Sequence, residues 1–411
     1  MNDVFCILPW TSLQLRQNGE TYPCCRMSYQ HSFGNLKDNT IAEIWNSSAI
    51  KQVRQNMLEG KPTKFCSDCY KTDASGGSSM RKNSNTEFTN EFHRLKSTNA
   101  DGHLIDHKIS FLDIRFSNIC NLKCRSCDAE NSTSWYADSI KIHGPSAYEK
   151  KIVLNKNSES LWPQLENLTG NLTKIYFAGG EPLIDEDHYR LLDLLIAKKR
   201  TDVLLSYNTN LTHLVFQNRN IVDLWRKFDR VQLGASIDGV GAAAGYLRSG
   251  SDWNVVKNNL LSITSSLNNV SLNIFPTVGV LNCFHLPELL SELIEMKVIN
   301  EPNNLELNIL QKPQLLNASI LNTGEKTQLK NLYLAFLQSL RLKVSNALFT
   351  HIEKELLSYL ANVESNDLTH LRPEFRKYMF FLDKIRDEKT LHHVPELSFL
   401  LYEEVLAKAQ L

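Results

Sequence analysis

The chain lacks an excess of either charge. Its 45 Lys+Arg balance 45 Asp+Glu, so no global field is present to hold a nucleic-acid backbone or an anionic membrane surface. It also lacks any run near the roughly 18 uninterrupted apolar residues of a membrane helix. Residues 1–10 carry Asp3, no basic stretch and too short an apolar run for a secretory signal, so a cytoplasmic location is expected. Asn-x-Ser/Thr triplets, such as 131–133 and 171–173, carry no weight in an unexported chain. The composition of a disordered chain is missing too: 42% of the 411 residues are hydrophobic and 22% charged, and that length implies at least two domains. Finally, nine cysteines without an export signal do not make a disulfide framework, because the cytosol keeps thiols reduced and clusters there usually mean metal or catalysis.

What is present is concentrated. Cys6, Cys24, Cys25, Cys66, Cys69, Cys120, Cys124 and Cys127 all precede residue 130, and only Cys283 follows. Metal chemistry is therefore expected in the first third. Four regions separate by composition and period. Residues 1–71 are compact and Cys-rich, with turns at Asn18-Gly19 and Gly34-Asn35 and a helical pattern through Ile41, Ile44 and Trp45 toward Met57. Residues 72–107 turn polar, with the small-residue run Ser75, Gly76, Gly77, Ser78 and Ser79, and read as a linker or mobile loop. Residues 108–315 alternate β-rich and helix-period runs. Residues 316–411 keep a helical period throughout, as in Leu329, Leu332, Leu334, Phe336, Leu337 and Leu340, and read as a helical appendage.

The alternation in the third region predicts strands over 109–117, 174–177, 203–208, 230–236, 270–277 and 303–310, with helices over 188–199, 221–228, 255–265 and 286–296. Six repeats of about 34 residues match βαβ units, so an α/β fold with a parallel sheet or barrel is expected. Successive strand residues face opposite sides. Asp113, Arg115 and Ser117 therefore oppose Leu112, Ile114 and Phe116, while Glu306 and Asn308 oppose Leu305, Leu307 and Ile309. Gln232, Ser236 and Asp238, and Ser271, Asn273 and Thr277, repeat the split. Helices must cover the outer face, so these polar residues are assigned to the interior of an open six-stranded barrel holding a polar ligand.

The sharpest motif is Cys120-Asn-Leu-Lys-Cys124-Arg-Ser-Cys127, directly after the first of these strands. Three thiolates in one loop can bind three corners of a cubane cluster and leave its fourth iron open. A structural zinc site wants four ligands, and no obvious fourth sits nearby. Ala178-Gly179-Gly180-Glu181-Pro182 follows the second strand, Asn208-Thr209-Asn210 ends the third, and Ser236-Ile-Asp238-Gly239 ends the fourth. All lie at the C-terminal ends of strands, where parallel barrels place their sites. With these motifs in order, the chain resembles the radical SAM superfamily, whose CxxxCxxC loop follows the first strand of a partial (β/α)6 barrel.

That resemblance implies that Cys120, Cys124 and Cys127 bind a [4Fe–4S] cluster and that Gly179, Gly180 and Glu181 hold the methionine amino group of S-adenosylmethionine. It places Ser236 and Asp238 at the ribose, with Asn208 among the cofactor contacts. Arg248 is a candidate for the methionine carboxylate, a surface salt bridge being the alternative. Where many relatives have Thr-Asn-Gly, this chain has Asn210, which tolerates the left-handed conformation of a glycine.

Cys6, Gly19, Cys24 and the later pair Cys66-Ser-Asp-Cys69, with Pro9-Trp10, Gly34-Asn35-Leu36 and Ile44-Trp45-Asn46, resemble the SPASM/twitch auxiliary-cluster module. Half of the seven-cysteine set is present, which favours the single-cluster twitch form, here preceding the barrel. Cys6, Cys24, Cys66 and Cys69 would close a second [4Fe–4S] cluster; Cys25 could replace Cys24, and spacing favours Cys24. Zinc is the alternative occupant. Cys283 and the pair His392-His393 read as structural.

The resemblance implies reductive cleavage of S-adenosylmethionine to a 5′-deoxyadenosyl radical that takes a substrate hydrogen, with the auxiliary cluster as electron relay. It implies a flavodoxin- or ferredoxin-type donor and a substrate that is a peptide or, in relatives that act as dehydrogenases or epimerases, a sugar or small alcohol. A peptide is favoured here because the N-terminal module could form a cleft above the barrel. Asp113, Arg115, Glu306 and Asn308 are the candidate catalytic residues. Two other classes remain in view: a zinc-stabilised binding protein and an iron–sulfur redox sensor.

Overall fold

A computed structural model describes residues 2–27, 29, 32–74, 77–145, 149–154 and 160–401. Ser75 and Gly76 of the small-residue run, and residues 402–411 of the helical tail, lie outside this set. The chain divides into two compact units, one made of 1–119, 151–207 and 223–231, the other of 120–150, 208–222 and 232–411.

The sheet begins with an element that no expectation included. Ser12–Leu15 (β1) pairs antiparallel with Thr21–Tyr22 (β2), Gln14 standing opposite Tyr22. Gly19 closes the turn at φ +86°, a conformation that costs a side-chain-bearing residue free energy, and donates its N–H to the Arg16 carbonyl at 2.9 Å. On its other side β1 runs parallel to Phe111–Ile114 (β3), with Ser12 to Leu15 aligned on Phe111 to Ile114. Lys174–Phe177 (β4) and Leu204–Thr209 (β5) continue the parallel pairing. Val231–Ala235 (β6) and Val270–Ile274 (β7) complete a seven-stranded sheet in the order β7-β6-β5-β4-β3-β1-β2. From β3 to β7 the strands lie side by side in chain order, the arrangement expected of successive βα units.

The helices expected between them are Glu186–Ala197, Ile221–Trp225, Trp253–Ser266 and Leu286–Glu295. Asp185 and Asp252 cap two of them by accepting the N–H of Asp187 and Asn254. Two of them bury leucine-rich stripes, Leu191, Leu192 and Leu195 in one, Leu286, Leu289, Leu290 and Leu293 in another.

Three expectations are corrected. The first barrel strand stops at Ile114, because residues 116–118 pair with 152–154 instead: Leu154 N–H reaches the Phe116 carbonyl and Asn118 N–H the Ile152 carbonyl. The sixth strand shrinks to Asn308–Ile309 and a bridge at Leu305. Pro302–Asn304 is a 3-10 turn, and the Leu307 N–H is taken by the Glu355 carboxylate at 2.9 Å, so it is lost to a ladder. The polar stretch expected as a linker is helical over Met80–Glu87 and turns on through Thr89–Ser97. Its anchors are arginines rather than apolar side chains. Arg81 donates to the Phe5 carbonyl at 3.0 Å and Arg94 to the Trp10 carbonyl at 3.3 Å, and both are buried.

In the second unit, Thr323–Leu340, Asn346–Ser365 and Arg372–Arg386 form the expected helical region. Leu329, Phe336, Leu337 and Leu340 are buried, while Leu332 and Leu334 are exposed. Asn322 and Glu325 form a capping box, and Arg372 grips the Glu325 carboxylate with two nitrogens at 2.6 and 2.9 Å. Among the described residues no helix is long and apolar enough to cross a membrane.

Candidate metal centres

In the second unit the loop 120–127 is held at both ends. Lys123–Cys124 pairs antiparallel with Arg248–Ser249, so Cys124 stands opposite Arg248. The Trp135 indole donates to the Cys124 carbonyl at 2.6 Å, and Ser134 Oγ to the Cys120 carbonyl at 2.8 Å. Asn210 Nδ2 donates to Asn121 Oδ1 at 3.1 Å, so the end of β5 braces the same loop. The left-handed conformation expected at Asn210 belongs instead to Leu211, φ +53°, which frees the Asn210 side chain for this contact. Asn208 packs over Gly234, where a Cβ would lie 2.5 Å from its Oδ1.

Arg248 Nη1 lies 3.7 Å from Cys124 Sγ. Its guanidinium is gripped by Asp238, with Nε 2.8 Å from Oδ2 and Nη2 3.0 Å from Oδ1, and the same Oδ1 accepts the Thr277 N–H at 2.8 Å. Two residues expected to touch the cofactor separately are thus one buried ion pair. Ser236, also expected there, is half-buried and donates its N–H to the Thr209 carbonyl. Burial raises the Cys124 thiol while the Arg248 cation lowers it; burial and the neighbouring Cys124 push Cys127 well above the usual thiol range. Three crowded thiols in such a place are stable as thiolates only beside a cationic centre, which is the chemistry of an iron–sulfur ligand set.

In the first unit Cys6, Cys24, Cys66 and Cys69 are gathered from separate stretches. Thr63 caps the 3-10 turn Lys64–Cys66, and the helix Ser67–Ala74 carries Cys69 in its first turn. The Cys6 thiol is pushed up to about 12, chiefly by burial and further by Cys66 and Cys69. Cys24 is raised by burial, then by Cys25, Cys6 and Cys66, and Cys66 to about 12 by burial and Cys69. The four are electrostatic neighbours. Cys25 acts on Cys24 and has further neighbours: its thiol is 3.8 Å from the Met80 sulfur and feels Asp113 and Arg115, burial again being the main reason it is pushed up to about 12. Among the described residues no three His, Cys, Asp or Glu side chains converge where one metal ion would sit.

Gly179 to Glu181 follow β4 in the first unit. Gly179 has φ +114°, Gly180 donates to the Ser117 carbonyl at 3.0 Å and Glu181 to that of Ile119 at 2.7 Å. A Cβ on Gly180 would run into the Ile119 backbone, so the tight approach needs glycine there. Glu181 is buried, and its Oε1 accepts the Leu183 N–H at 3.0 Å.

The register across the sheet lines up Gln14, Asp113, Tyr176 and Ser206 as one polar row. Gln14 Nε2 donates to Asp113 Oδ2 at 2.9 Å, and Arg115 Nε lies 3.7 Å from Oδ1. Burial lifts the Asp113 carboxyl above its usual range against the pull of Arg115. Asp113 and Arg115 are thus brought together, with Gln14 as a partner the sequence reading missed. The alternation Leu13, Gln14, Leu15, Arg16 before an Asn-Gly turn is the signal that could have found it. Glu306 and Asn308 are exposed in the second unit, as are Gln232 and Ser271. Cys283 is fully buried and His393 stacks on Tyr246 at 5.0 Å, both structural as expected.

Comparison with known proteins bears on the four-cysteine set of the first unit. Residues 6–70 match the SPASM family, an iron-sulfur cluster-binding domain. The Cys6, Cys24, Cys66 and Cys69 set lies wholly inside that SPASM segment. None of the curated proteins compared matches the chain. Solved structures with some likeness include histidine-tagged anSMEcpe with bound S-adenosylmethionine, 19% identical over 58% of this chain and 61% of that one, TM-score 0.40. Streptococcus suis SuiB bound to S-adenosylmethionine is 14% identical over 81% and 70%, TM-score 0.38, and SuiB bound to the precursor peptide SuiA 14% over 83% and 73%, TM-score 0.38. The chain spans about three fifths of the anSMEcpe chain. Likenesses this loose carry no activity across.

Proposed function

We propose that the chain is a radical S-adenosylmethionine enzyme, with one [4Fe–4S] cluster on Cys120, Cys124 and Cys127 and a second, fully ligated one on Cys6, Cys24, Cys66 and Cys69 of the SPASM segment. The observation that carries the reading is the three-thiol loop after β3, with Arg248 beside Cys124, in a chain whose residues 6–70 match an iron-sulfur cluster-binding domain. When bound and reduced, such a cluster with S-adenosylmethionine supplies a 5′-deoxyadenosyl radical that takes a hydrogen atom from a substrate carbon.

The protein's part is to hold and orient. Arg248, locked by Asp238, sets a fixed cation against the Cys124 sulfur and favours its thiolate form. Gly179 to Glu181 are the residues that would take the methionine amino group, with the Glu181 carboxylate fixed by the turn it caps. Asn208 and Ser236 would complete the cofactor contacts. The row Gln14, Asp113, Tyr176, with Arg115, would set polar groups on a rigid sheet, and the substrate class proposed is a peptide. The SPASM cluster would relay an electron, a flavodoxin- or ferredoxin-type protein would supply reducing equivalents, and the setting would be the reducing cytoplasm.

The test is anaerobic incubation of reconstituted protein with dithionite and S-adenosylmethionine. Formation of 5′-deoxyadenosine supports the reading; an iron-loaded, fully reduced protein that yields none overturns it.

A further inference from the structure

The C-terminal helices read as an appendage, yet one of them reaches the cysteine loop of the second unit. Arg125 lies between Cys124 and Cys127, and its side chain is only 1% exposed. A buried guanidinium is costly unless it is paired, and Arg125 is paired through Nε and Nη2 while Nη1 makes no hydrogen bond. Arg125 stacks on the Tyr246 ring at 3.7 Å, donates Nε to the Tyr246 carbonyl at 3.2 Å, and sends Nη2 to Asp383 at 2.7 Å and to Glu388. Those carboxylates are themselves fixed. Asp383 accepts the Tyr246 hydroxyl at 3.0 Å and the Thr390 N–H at 2.7 Å, and Glu388 accepts Ser249 Oγ at 2.9 Å. Asp387, at φ +53°, turns the chain back after Arg372–Arg386 so that Glu388 can return to the loop.

A second set of contacts covers one side of Cys127. Leu382 packs in one cluster with Ala129 and Trp135, and Cys127 and Tyr378 lie against it. Arg386 sits over the Trp135 ring at 4.7 Å and pairs with Asp138 at 2.8 Å, while Trp135 holds the Cys124 carbonyl.

We propose that Arg125 is a positioning residue and that residues 378–390 form a clamp fixing the spacing of Cys124 and Cys127 and covering one side of the partly buried Cys127. The inference rests on the proposed function for its consequence, since a loop held this way keeps three thiols aimed at one cluster while leaving the fourth corner open. The geometry of the clamp itself stands without the cluster.

The experiment compares wild type with Asp383→Asn, Arg125→Lys and Leu382→Ala in the full chain. In metal-free protein, iodoacetamide labelling of Cys127 should rise at least fivefold in Asp383→Asn and Leu382→Ala while labelling of Cys66 stays unchanged. In reconstituted protein, 5′-deoxyadenosine formation without substrate should fall at least tenfold in Asp383→Asn, and the electron paramagnetic resonance signal that responds to S-adenosylmethionine should shift. Arg125→Lys, which keeps the charge but loses the planar group that stacks on Tyr246 and bonds its carbonyl through Nε while Nη2 meets both carboxylates, should retain no more than half of the wild-type rate. Unchanged Cys127 labelling overturns the clamp whatever the clusters do. The labelling change in a protein whose loop takes no cluster would uphold the clamp and sink the radical-enzyme reading instead.

Discussion

The thiols of Cys6, Cys24, Cys66 and Cys69 come from three stretches of chain, whereas Cys120, Cys124 and Cys127 come from a single loop of eight residues. The first set can form only when a hairpin, a 3-10 turn and a helix have been brought together, so its geometry is a product of tertiary folding. The second is local, and the surrounding structure adds bracing: Arg248 on the sulfur of Cys124, Trp135 on its carbonyl, Asn210 on Asn121. Four donors saturate a cubane; three leave a corner for a ligand that comes and goes. The contrast teaches that a thiol set drawn from distant stretches takes its geometry from the tertiary fold, whereas one carried on a single loop takes it from the loop and is held by bracing from outside.

The sharpest way to break the comparison is Cys124→Ala. Iron should fall by about four of about eight atoms per chain, and 5′-deoxyadenosine formation should drop below detection while the SPASM cluster is retained. Loss of both clusters together would mean that the two sets are not separate sites. Next, Cys66→Ala and Cys24→Ala should each cost about four irons yet leave cleavage of S-adenosylmethionine within about tenfold of wild type, whereas Cys25→Ala should keep the full iron count. A Cys25 variant that lost iron would reassign the closed set.

Two smaller effects sharpen the picture. Gly180→Ala places a methyl group against the Ile119 backbone and should destabilise the chain by about 1–3 kcal/mol in urea unfolding, with weaker binding of S-adenosylmethionine. Arg248→Lys keeps a cation near Cys124 but cannot fork onto Asp238; a loss of about 1–2 kcal/mol in the same assay, with a lower midpoint potential of the open cluster, is expected.

Much of this was legible in the residues. The loop 120–127, the glycines at 179 and 180 and strand 174–177 stand where the sequence puts them, because each is a local pattern with its own turn chemistry. The parallel pairing of β1 with β3 was not, since its partners are some hundred residues apart and no local signal joins Ser12 to Phe111. Residues 80–97 were hidden for another reason: buried arginines do there what leucines do elsewhere, and a polar composition reads as linker. The pairing of Asp238 with Arg248, and of Arg125 with Asp383, likewise joins residues whose types fit many partners, so only the fold selects among them.

The measurement that goes most directly to the difference between the sites is electron paramagnetic resonance of the reduced protein with and without S-adenosylmethionine, in Cys66→Ala and Cys124→Ala. An open three-thiol site predicts that the ligand shifts the signal retained in Cys66→Ala and leaves that of Cys124→Ala untouched. A shift of the four-thiol signal, or of neither, would contradict the assignment of one closed and one open cluster.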